Sequence, residues 1–149
     1  MILGGVATGI LDILAAFAFR GIFGGVPPVR VLQGIASGLL GPSAFAGGGG
    51  SAALGLALHL LIAFVCAAVY YSASRVLPVL IRRAVLCGLA YGVAVHLFMN
   101  SVVLPLSRVN FRPPPWQFVV GMIVIHMLFV GLPIALAVRF AATKAHAAA

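Results

Sequence analysis

Carboxylate side chains are almost missing from this chain of 149 residues: there is one, Asp12, and no glutamate. G-x-S-x-G, H-E-x-x-H, the phosphate-binding P-loop and the dinucleotide fingerprint are missing too, so hydrolytic and nucleotide-driven chemistry have little to stand on. Charge of either sign is scarce. Only 7% of residues are charged, where a soluble domain carries about 25%. Cysteine is limited to Cys66 and Cys87, which form neither a CxxC nor another metal-ligand spacing and read as small buried apolar residues.

What remains is apolar. Hydrophobic residues make up 64% of the chain and the mean hydropathy is +1.25, which points to an integral membrane protein of one domain with room for about four spans. The nine Lys and Arg residues give a formal charge of +8 with the one carboxylate, but they are scattered at the ends of apolar runs and form no stripe. That placement is a topology signal and a set of lipid-headgroup contacts rather than a nucleic-acid surface.

The spans expected are about 2–19, 51–72, 86–106 and 117–138. Ala16-Phe17-Ala18 has the look of a signal-peptide cleavage site, but no basic residue precedes the apolar run and Asp12 interrupts it, so 1–20 reads as a first helix of the mature protein. Arg20 closes that span. Gly24-Gly25, Pro27-Pro28 and the run Gly47 to Gly50 punctuate the next stretch. Between them Leu32, Ile35, Ala36 and Leu39 recur at helical spacing while Arg30, Gln33 and Ser37 fall elsewhere. This predicts a short amphipathic helix, interfacial or re-entrant, with the glycine run as its flexible exit. Tyr70-Tyr71 and Trp116 read as interfacial anchors, Pro113-Pro114-Pro115 as a stiff connection, and Pro133 as a kink in the fourth span. Gly5-x-x-x-Gly9 and Gly88-x-x-x-Gly92 are spacings that let helices approach closely, within the bundle or between copies. His146, in the weakly basic tail, reads as solvated.

The chemistry lies in the spans. Asp12, His59, His96 and His126 occur one per span, each about seven to ten positions from the same membrane face, or roughly 10–15 Å deep. Unpaired, such groups cost several kcal/mol in hydrocarbon, so they must face protein, water or a ligand. Thr8, Asn100 and Met122 share their faces. Three imidazoles and a carboxylate make a complete ligand set for Zn²⁺, Fe²⁺ or Mn²⁺. Two of the histidines would equally suit a b-type haem, and the four residues together would suit a proton relay, which in so small a protein calls for a homodimer. For any one histidine alone, a helix-packing hydrogen bond is the plainer use. The preferred reading is a metal or haem protein, followed by a proton-coupled or ion-translocating protein and by an accessory subunit of a membrane complex.

LHLLIAFVCAAVYY (58–71), LCGLAYGVAVHLFMNSVVLPL (86–106) and the neighbourhood of Gly121 to Leu128 resemble small bacterial inner-membrane proteins of the YagU-like type, over about half the chain. The resemblance implies a multi-pass inner-membrane protein and supplies no catalytic residues. A composition rich in Ala, Gly, Val and Arg with a single Lys fits a GC-rich bacterial gene. With both termini inside, the cytoplasmic side holds Arg75, Arg82, Arg83, Arg139 and Lys144, against Arg20, Arg30, Arg108 and Arg112 outside.

Overall fold

Backbone in a bilayer must satisfy its own hydrogen bonds, and a chain this apolar does so as helices. The computed structural model describes residues 2–110 and 114–147, so Arg112 and Pro113 lie outside the described residues, as does the side chain of His146. The helices are α1 (Ile2–Gly24), α2 (Pro28–Leu40), α3 (Gly48–Val76), a single turn α4 (Val79–Arg82), α5 (Ala84–Leu106) and α6 (116–147). No strand occurs among the described residues. Four segments are long and apolar enough to cross a membrane: Gly5–Gly24, Gly48–Val76, Ala84–Leu106 and Trp116–Lys144. The protein is an all-α, four-span membrane bundle.

The first span does not stop at Arg20. It runs one turn further, and Gly25, at φ 62°, turns the chain so that its N–H and that of Val26 bond the carbonyls of Gly21 and Arg20. A glycine in the left-handed region is the usual way to satisfy those last carbonyls. A long arginine stem tolerates such a site by reaching for the headgroups.

The helix between the first and second spans is present, but its buried face is shifted from the expected apolar stripe toward Gln33 and Ser37. Gln33, Ala36 and Ser37 are buried, whereas Leu39 is 54% exposed. The reason is the solvent: α2 packs against polar backbone in the bundle, where Gln33 Nε2 donates to the Gly48 carbonyl at 3.1 Å, and turns Leu39 and Leu40 outward toward lipid. Its contact with α3 is backbone to backbone, since a Cβ on Gly55 would run into the Leu32 carbonyl. The expected flexible exit is also absent. Gly48 to Gly50 form the first turn of α3, fastened by Ser51 Oγ donating to the Ala44 carbonyl at 2.6 Å.

Both glycine pairs are consumed inside the bundle. A Cβ on Gly9 would lie 2.8 Å from Leu60 Cδ2, and one on Gly5 3.3 Å from Phe64 Cδ2, both on α3. Gly88 faces Gly131 and Leu132, and Gly92 faces the backbone of His126 and Met127. The homodimer contacts expected there are thus occupied by the chain's own helices. The two tyrosines at the end of α3 also part ways. Tyr71 is 37% exposed and fits an interfacial anchor, but Tyr70 is 2% exposed and belongs to the core with Ala84, Ile134 and Ala135. Its hydroxyl donates to the Leu80 carbonyl at 3.0 Å.

Each proline inside a span is preceded by a π turn, Met99–Val103 before Pro105 and His126–Gly131 before Pro133. Proline lacks an N–H and crowds the carbonyl four residues back, and a local widening of the helix relieves both problems. The break expected at Pro133 takes this form. The two π turns begin at or just after His126 and His96, which brings the fold to its polar interior.

Candidate intramembrane polar site

Depth is matched across the bundle. Asp12 lies 12 residues before Gly24, His59 11 after Gly48, His96 10 before Leu106 and His126 10 after Trp116, which places all four about 15–18 Å from that end at 1.5 Å per residue. The match is better than the sequence boundaries implied, and deeper, because α1 and α3 extend further.

The four side chains are held as two pairs. Gly9 lets α3 come close enough for His59 Nε2 to reach the Gly9 carbonyl at 2.9 Å. A carbonyl only accepts, so that nitrogen carries the hydrogen. Asp12 Oδ2 stands 3.7 Å from the same nitrogen, within ion-pair distance but without the N–H, which is spent on the carbonyl. On the other side, Gly92 lets the α6 backbone press against α5, and the His96 and His126 rings meet edge to face with centroids 5.0 Å apart. His126 Nδ1 donates to the Met122 carbonyl at 2.7 Å, leaving Nε2 as the free lone pair of the neutral ring. Asn100 Nδ2 donates to the His96 carbonyl at 2.8 Å and faces His96 Nε2 at 3.4 Å.

A cavity of about 100 Å³ opens between the pairs, lined by Asp12, His59 and His126 among apolar side chains of α2, α3, α5 and α6. Three buried polar atoms here have no partner: Thr8 Oγ1, Asp12 Oδ1 and His96 Nδ1. Buried polar atoms are almost always bonded to protein or water, so these orphans mark a bundle interior whose polar groups its own side chains do not fully satisfy, with Asp12 alone of the three residues lining the cavity. Of the residues expected around the cluster, Asn100 contributes its side chain and Met122 its carbonyl, whereas Thr8 Oγ1 is buried one turn before Asp12 on α1 without a partner.

The single four-ligand shell expected from the sequence is not formed. Among the described residues no three His, Cys, Asp or Glu side chains come together in a group able to hold a metal ion. A cavity of about 100 Å³ is also far below the 300 Å³ or more that enclose larger ligands, and the packed His96 and His126 rings leave no slot for a porphyrin. Sequence reasoning missed Cys66, Ile35 and Met99 in the lining. Cys66 carried a signal: it lies seven residues after His59 and so repeats on the same face of α3. Ile35 carried none, since it depends on how α2 folds back. Compared with protein families, curated proteins and solved structures, the chain matches none.

Proposed function

We propose that this membrane protein moves protons, or couples to their movement, through the polar line in its interior. The observation that carries the reading is the cavity faced by Asp12, His59 and His126, with His96 stacked behind His126. Thr8 and Asn100 extend the line toward the two ends, Asn100 6 residues from Leu106 and Thr8 16 from Gly24, or about 9 and 24 Å deep by helical rise. Ionisable groups at such depth are costly, and a relay is one use that repays the cost.

A resident Zn²⁺, Fe²⁺, Mn²⁺ or haem b is the weaker reading of the same residues, because the donors are paired off and the cavity is small. An accessory-subunit role would use these residues as helix glue alone, which leaves the three orphan atoms without a purpose. We assign the bilayer as the inner membrane on the YagU-like resemblance, with both termini on the side of Arg75, Arg82 and Arg83.

His126→Asn tests the reading. The amide keeps a donor for the Met122 carbonyl and removes the ring nitrogen whose lone pair would accept a proton. Proton flux into vesicles carrying the variant is expected to fall about tenfold or more, within the range by which proton-transfer groups act, with the protein still monodisperse. Flux at the wild-type level would remove His126 from the relay.

A further inference from the structure

Which ion the cavity accepts depends on the donors and acceptors that the surrounding hydrogen bonds leave free. An alkali cation stripped of its water needs a ring of oxygens, which in membrane proteins come largely from backbone carbonyls. Here the carbonyls around the site already accept from side chains: Gly9 from His59, Met122 from His126, His96 from Asn100 and Cys66 from Tyr91. The side-chain oxygens without a hydrogen bond at the site are Thr8 Oγ1 and the two oxygens of Asp12, fewer than a ring of ligands around a dehydrated cation needs. The other open positions are imidazole nitrogens. His96 Nδ1 is unpartnered, and His126 keeps Nε2. Nitrogen lone pairs and N–H groups suit a hydrogen-bonded guest and serve a hard cation poorly. The cavity volume of about 100 Å³ holds about three waters at about 30 Å³ each.

We infer that the cavity holds a cluster of about three waters carrying a single exchangeable proton, and that it does not accept sodium. The inference rests on the relay reading. The Asp12 carboxylate, which lines the cavity, takes a proton from a cavity water, becomes a carboxylic acid, and returns the proton to the next water. His126 takes it on Nε2, is an imidazolium while Nδ1–H stays on the Met122 carbonyl, and releases it from the same Nε2. No bond other than O–H and N–H forms or breaks.

The test uses the full chain in vesicles with equal low potassium and valinomycin on both sides, so that the potential is clamped. A pH step then drives proton entry in a medium of sodium chloride or of N-methylglucamine chloride. Proton entry is expected at the same rate in both media, a sodium coupling factor of about 1, with radioactive sodium uptake no higher than in protein-free vesicles. Sodium uptake through the protein, or proton entry that requires sodium, would overturn the selectivity and leave a relay standing. Absence of proton entry in both media would overturn the relay itself, and the selectivity with it.

Discussion

Replacing Asp12 by asparagine is expected to remove proton flux almost entirely while leaving the protein no less stable. The flux falls because Asp12 is the only carboxylate side chain in the chain and it lines the cavity. The amide keeps the shape and cannot cycle a proton, and a barrier higher by about 1.4 kcal/mol already slows passage about tenfold. Stability holds because the wild-type carboxylate is poorly compensated: Asp12 is 8% exposed, one oxygen has no partner, and the other stands near an N–H pledged to Gly9. An amide at the same place carries no charge to desolvate. Such a pairing of lost function with retained stability is what a functional rather than structural polar group produces. Thermal or SDS unfolding midpoints of the two proteins, read beside their flux, check it. A large drop in stability with Asp12→Asn would make the residue helix glue.

The second large effect is structural. In Gly92→Leu, even the first added carbon would overlap the His126 carbonyl and lie 2.5 Å from Met127 Cα, and neither atom belongs to a side chain that can swing away. The α5–α6 seam would have to open, at a cost of about 3 kcal/mol or more. Expected are loss of the monodisperse peak in detergent and a sharply lowered unfolding midpoint. Gly34→Ala is the control, because a Cβ there meets nothing within 4 Å and alanine favours a helix interior by about 0.5–1 kcal/mol. Equal behaviour of the two variants would mean that the seam is not where the structure puts it.

Much of this architecture was legible in the residues. Apolar runs of membrane length, ended by Gly, Pro and Arg, locate four spans because lipid tolerates few other backbones. The depth match of Asp12, His59, His96 and His126 follows from counting along those spans. What counting along helices does not provide is rotation and contact. That separated two pairs from one four-ligand shell, since the pairing depends on which helix Gly9 and Gly92 each let in. For α2 the sequence pattern misled in part: of the apolar stripe Leu32, Ile35, Ala36 and Leu39, Ala36 is buried and Leu39 is exposed, because in a bilayer an apolar residue faces outward as readily as inward, and Gln33 and Ser37 share the inner side. Tyr70 and Tyr71 show the same limit at single-residue scale, adjacent in sequence and opposite in burial.

The measurement that bears most directly on the proposal is proton entry into vesicles containing the purified wild-type chain, driven by a pH step under a clamped potential and compared with protein-free vesicles. The account expects entry clearly above the protein-free rate and dependent on protein amount. Entry indistinguishable from that of protein-free vesicles would contradict it, and the cavity between Asp12 and His126 would then be a packing feature of the bundle.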